Sequence, residues 1–186
     1  MQIDRKQYDP EIHDLFHALT VKQPYADLLT EAVSRDESGQ YHAAKTIEVR
    51  TRNTTYRGDL LICSSAKPVD PWGRHLAGVT CGFVELYDTK PVEQFTPEDW
   101  AATCIPEDQR PRKGYGWLMR NPRRVVEMPV KGQLGVYGIV VPKDDITEII
   151  VEEMELLGGK KPEQAPAPAP DYKPGGYAST LEDMPV

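Results

Sequence analysis

The sequence predicts an α+β domain: a small mixed, mainly antiparallel β-barrel with flanking helices, followed by a disordered C-terminal tail. Three observations lead there. Short runs rich in β-branched and aromatic residues alternate with Gly/Pro turns across residues 17–142. Few stretches in that span carry helical periodicity, and no strand–helix–strand rhythm or internal repeat is present, which argues against a parallel α/β sheet. From Gly158 onward the composition shifts to Pro, Ala and Gly.

Each element follows from its residues. Residues 1–16 read as an N-terminal extension. HALTV (17–21) is a strand, after which Pro24 opens a helix over 24–33 with Tyr25, Leu28, Leu29 and Val33 on one face. SRDESGQYH (34–42) is a polar loop, TIEVR (46–50) a strand and NTTYRG (53–58) a turn. DLLICSS (59–65) is almost continuously apolar, hence a central strand. GVTCGFVELYD (78–88) is another, and Gly82 inside it marks a bulge or a close backbone approach. FTPEDWAAT (95–103) carries a Thr cap followed by Pro, the signature of a short helix. GYGWLMRN (114–121), RRVVEMPV (123–130) and LGVYGIVVP (134–142) supply three further strands, which completes a barrel domain over 17–142.

Beyond it, DDITEIIVEEMELL (144–157) spaces Ile146, Ile149, Ile150, Met154 and Leu157 at helical intervals among acids, so 143–157 is expected to form an acidic terminal helix. Residues 158–186, with their Ala-Pro run, bury too little apolar area to offset ordering entropy and read as a disordered tail. The tail is either a solubilising segment or, through YASTLEDMPV, a docking peptide for a protein partner.

The net charge of −7 is unevenly spread. The two ends carry the acid, and residues 110–131 hold seven basic side chains against Glu127 alone. Such a stripe is either a solvated loop or an anion-binding surface. No apolar run approaches the ~20 residues that cross a bilayer, and MQIDRKQYDPEIHD lacks the pattern of a signal peptide, so a cytoplasmic location without membrane contact is expected. Cys63, Cys81 and Cys104 form no CxxC pair, and the four histidines have no ligand spacing; no metal and no cofactor are expected.

The stretch AAKTIEVR (43–50) raises the chemical question. On a strand, Thr46, Glu48 and Arg50 share one face while Ile47 and Val49 take the other. Lys45 falls on the apolar parity unless it precedes the strand, where its stem can swing to either side. The charges either protect a sheet edge from aggregation or form a polar site. Tyr115 and Trp117, separated by Gly116, face one way as well. They either fill the core or make a platform for stacking bases, beside Arg120, Arg123 and Arg124. Ser64 and Ser65 end an apolar strand and either cap a turn or touch a ligand.

The succession of motifs resembles the ASCH domain family, a branch of the PUA-like barrels. Lys45, Glu48 and Arg50 match its Gly-x-Lys-x-x-Glu-x-Arg pattern, with Ala43 in place of the glycine. Lys22 to Ala26 (KQPYA), Arg57 to Ile62 (RGDLLI), Tyr115 with Trp117, and Pro129 to Gly132 (PVKG) match in the same order. The resemblance covers 17–142 and implies a PUA-like barrel with a cleft lined by the Lys-Glu-Arg strand.

It also implies binding of single-stranded RNA or of a modified nucleobase, nucleoside or nucleotide. Lys22, Gln23, Pro24, Arg50, Arg57, Ser64, Ser65, Tyr115, Trp117 and Arg124 are the expected contacts. The alternative it implies is a metal-independent hydrolase acting on RNA or an acylated nucleoside, with Lys45 and Glu48 as the catalytic pair. Glu48 stands where deacylating members carry a threonine, so their nucleophile is missing from this chain.

Overall fold

The run Leu60–Cys63 is sealed from solvent on both sides, and the sheet around it explains why. In the computed structural model, which describes residues 2–67, 75–143 and 145–148, the strand containing this run (β5, Gly58–Ser64) lies in the interior of a six-stranded sheet. Its neighbours are β1 (His13–Val21), parallel to it, and β6 (Thr80–Pro91), antiparallel. Next to β6 comes β7 (Tyr115–Arg124), and β4 (Ile47–Arg50) forms one edge; β8 (Val136–Pro142), paired with β1, forms the other. Only β1–β5 is parallel, so the sheet is mixed and mainly antiparallel. It curls into a half-barrel rather than closing on itself.

Because strand side chains alternate, β5 feeds two cores. Leu60 and Ile62 pack with Leu19, Val21, Trp117, Met119 and with Ala26 and Leu29 of the helix α1 (Tyr25–Thr30). Leu61 and Cys63 pack with Ala18, Phe83, Val125, Tyr137 and Ile139. Each such aliphatic side chain contributes roughly 1.5–3 kcal/mol by leaving water. Burial pushes the thiols of Cys63 and Cys81 up to about 12, which leaves both inert at neutral pH. The second helix, α2 (Pro97–Ala102), starts on a reciprocal capping box between Thr96 and Asp99.

Several sequence expectations are corrected. The first strand begins at His13, not residue 17, and its outer half is missed because it is only partly buried and polar. Residues before it are tied in as well: Ile3 bridges Val140, and the Lys131 N–H donates to the Gln2 side chain. The helix from Pro24 stops at Thr30, whose hydroxyl donates back to the Ala26 carbonyl. Val33 lies instead in β2 (Ala32–Arg35), which pairs with β3 (Tyr41–Ala43) as a small hairpin. The turn between them, expected as plain loop, is closed by the Asp36 carboxylate accepting from the Ser38 and Gln40 N–H groups.

The stretches 114–121 and 123–130 are not two strands: β7 runs unbroken through Asn121-Pro122, with Asn121 at a φ of 54°. At the start of the expected terminal helix, residues 145–148 are not helical. Thr147 accepts from the Val126 N–H at 2.9 Å, Glu148 bridges Val125, and Ile146 packs on the second core. Burial of one isoleucine against an open backbone segment outweighs local helix propensity there. The rest of that expected helix and the whole of 158–186 lie outside the described residues. Among the described residues, no helix is long and apolar enough to cross a membrane.

Gly82 is the close approach its sequence context suggests. A β-carbon there would overlap the Arg123 carbonyl oxygen of β7 and come within 2.9 Å of Thr30. Gly82→Ala is therefore expected to lower stability by about 1–3 kcal/mol, read as a fall in the urea midpoint; an unchanged midpoint contradicts this packing.

Candidate functional site

Lys45 precedes β4, so strand alternation does not govern its side chain. Its peptide is pinned from both flanks: the Lys45 N–H donates to the Leu28 carbonyl, and the Thr46 N–H to that of Ala102. The side chain then folds under the strand and is only 1% exposed. Its ammonium donates to the carbonyls of Ile47 (2.7 Å) and Thr103 (2.6 Å) and lies 3.2 Å from Glu48 Oε2. Two carbonyls and a carboxylate thus match the three protons of the ammonium. The Tyr25 ring covers it at 5.0 Å. Burial pushes the amine's pKa down, and the Glu48 carboxylate opposes this without cancelling it.

Glu48 and Arg50 share a face, as alternation requires. Arg50 Nε sits 3.2 Å from Glu48 Oε1, and its Nη2 donates to the Thr20 carbonyl at 2.7 Å. The Glu48 carboxylate is therefore held between two cations. Lys45, Glu48 and Arg50 line one cleft of about 420 Å³, together with Lys22, Tyr25 and Ser65. The Ser65 hydroxyl is buried with no hydrogen-bond partner among the described residues. Among the described residues, three cations and one acid line this cleft.

Other expected contacts are placed elsewhere. Trp117 is 4% exposed, donates its indole N–H to the Arg52 carbonyl, and belongs to the first core. Tyr115 packs against the same core. The register sets Trp117 opposite Glu48 and Tyr115 opposite Arg50, so the rings do share their face, but they spend it on core packing and form no stacking platform. Ser64 exchanges hydrogen bonds with Val79 and ties the end of β5 to the residue before β6. Arg57 donates to the carbonyls of Thr54 and Tyr56 and pairs with Asp88, bracing a turn. Pro24 caps α1.

Gln23 and Arg124 belong to a separate network centred on Asp27. Its carboxylate accepts from Gln23 Nε2 (3.0 Å) and Arg124 Nη1 (2.8 Å), and meets His75 Nδ1 at 2.7 Å. Burial pushes the Asp27 carboxyl up, but hydrogen bonds from His75, Arg124 and Gln23 together outweigh it and hold the pKa below the ordinary value. Three of the seven basic residues of the stripe are neutralised in the same manner. Arg120 grips Glu85 through two bonds, Arg123 pairs with Asp59 and Glu148, and Arg124 also takes Glu127. Sequence reasoning misses most of these partners, and the roles of Thr20 and Gln133 in the cleft, because they come from distant segments; Glu127, three residues from Arg124, is a local exception. Tyr25 alone carried a signal, its place in KQPYA.

The chain matches no protein-family model and no curated protein in these comparisons.

Two outcomes follow from the geometry. Lys45→Met strands two carbonyls and the Glu48 carboxylate, and is expected to cost about 3–5 kcal/mol in chemical denaturation; a loss below ~1 kcal/mol contradicts the buried bonding described. Asp27 has a folded pKa below its unfolded one. Its contribution is therefore complete above the unfolded value, near ~3.9, and is lost as pH falls through the lower folded value. Thermal melts should show wild type more stable than Asp27→Asn at about pH 6, with the gap closing in strong acid.

Proposed function

We propose that this protein is a binding module of the ASCH kind. In this reading the half-barrel belongs to the PUA-like class and takes a nucleobase, modified or not, free or carried in single-stranded RNA, into the Lys45–Glu48–Arg50 cleft. The observation that carries the reading is the convergence of the ammonium, carboxylate and guanidinium on one concavity. Its volume falls within the range of small-ligand pockets, roughly 300–1,000 Å³.

The chemistry suits a base edge. Glu48 presents acceptor oxygens, and Arg50 beside it presents donors. An amino group next to a ring nitrogen or carbonyl, as on the pairing edge of cytosine or adenine, complements that pair. Ser65 adds an unpaired hydroxyl, and Lys22 adds a cation at the cleft for a phosphate. Lys45, with its protons already engaged, holds Glu48 in place.

A second reading, a metal-independent hydrolase of RNA or an acylated nucleoside, is favoured by one observation: burial lowers the amine pKa of Lys45 beside a carboxylate. There Glu48 takes the proton of an attacking water and Lys45 positions it.

A thermal-shift screen of nucleosides, nucleotides and short RNAs tests both. Wild type should be raised in melting temperature by a ribonucleotide, with affinity falling as salt rises. Glu48→Gln and Arg50→Met should each weaken binding by about tenfold or more, as loss of a charged hydrogen bond requires. No shift with any ligand sinks the binding reading. Turnover of an acylated nucleoside in EDTA, abolished in Glu48→Gln, would establish the second instead.

A further inference from the structure

The cleft does not end at Thr20 and Ser65. Beyond them opens a second cavity of about 590 Å³, which shares Thr20, Ser65, Gln133 and Leu134 with the first. Its own wall is apolar at Ala66, Gly78, Pro129 and Val130, and among the described residues Lys131 is its one charged lining group.

Apart from Thr20 in β1, the walls of this open cavity are loop segments held by hydrogen bonds and close contacts. The Gln133 N–H donates to Thr20 Oγ1 at 3.2 Å, and that hydroxyl also bonds the Tyr137 hydroxyl at 2.9 Å. Gly132 lies so close to Thr20 that a β-carbon would come within 2.6 Å of Oγ1. Pro129 bridges Val79, and the Val130 N–H donates to the Gly78 carbonyl. At the boundary between the two cavities the Ser65 hydroxyl is buried without a partner, and Leu134 is 99% exposed. Cations lie on both sides: Lys22 and Arg50 on the cleft, Lys131 on the second cavity.

We propose that the second cavity is a subsite for the adjoining nucleotide of a strand whose first base occupies the cleft. The apolar wall takes the second ring, Leu134 lies beneath the backbone where it crosses, and Lys131 neutralises the added phosphodiester. The inference rests on the nucleobase reading of the cleft and narrows it: the preferred ligand is an oligonucleotide, not a free nucleoside.

Calorimetric titrations test this with the full chain, using the four ribonucleoside 5′-monophosphates and the matching 5′-phosphorylated dinucleotides at two salt concentrations. The dinucleotide of the preferred base should bind about tenfold tighter than its mononucleotide, the gain typical of one further stacked or buried base. Its log–log salt slope should be steeper by about 0.7, the value for one more neutralised phosphate on a single strand. Lys131→Gln and Ala66→Glu touch only the second cavity. Both should erase the gain and leave mononucleotide affinity unchanged, which also shows that the variants are folded. A dinucleotide no tighter than its mononucleotide in wild type, or a gain that survives both variants, overturns the subsite while sparing the cleft. Binding of neither ligand overturns the subsite together with the reading beneath it.

Discussion

A single buried ammonium organises one side of this molecule. Lys45 arises before the edge strand β4, yet its charge is delivered beneath that strand, against the Ile47 carbonyl, the Thr103 carbonyl after α2, and Glu48. Burying a charge costs several kcal/mol unless partners surround it, and here they come from different parts of the chain. The bond to Thr103 fixes the segment after α2 against β4, and the contact with Glu48 fixes the orientation of the cleft's carboxylate. Site geometry and local stability thus share one set of bonds.

The arginines show the opposite arrangement. Counted along the chain, residues 110–131 look like a basic surface. In three dimensions Arg120, Arg123 and Arg124 meet Glu85, Asp59, Glu148, Asp27 and Glu127. Most of these pairs are partly exposed, where ion pairs contribute little to stability, but they cancel the field that a polyanion would feel. Among the described residues, the cations that line the two cavities are Lys22, Lys45, Arg50 and Lys131, and of these Lys131 alone belongs to the basic run.

Where the sequence was legible, the cause was local. Continuous apolarity marked β5 as interior, Thr96-Pro97 marked the start of α2, Gly82 marked a tight crossing, and alternation put Glu48 and Arg50 on one face. Where it was not, the deciding partner lay far away. Trp117 and Tyr115 have a spacing equally suited to core or surface, and only the sheet around β7 turns them inward. Val33 continues a helical pattern that pairing of β2 with β3 overrides. The Asp27 network joins residues from α1, β7 and the segment before β6, and no spacing rule brings those positions together. The polar half of β1 carries too little apolar signal to be read as a strand before β8 is known to lie beside it.

The order of strands in the sheet bears on when the site comes into being. β4 lies between β1 and β5 in the chain, but in space it sits at the far edge, joined only to β7 through pairs such as Ile47 with Leu118. Closing so long a loop is entropically slow compared with forming the β5–β6 neighbours. The edge that carries the polar recess thus rests on one long-range pairing, whereas each interior strand has a neighbour on both sides. Loss of that single pairing would take the recess apart while every interior strand kept a partner.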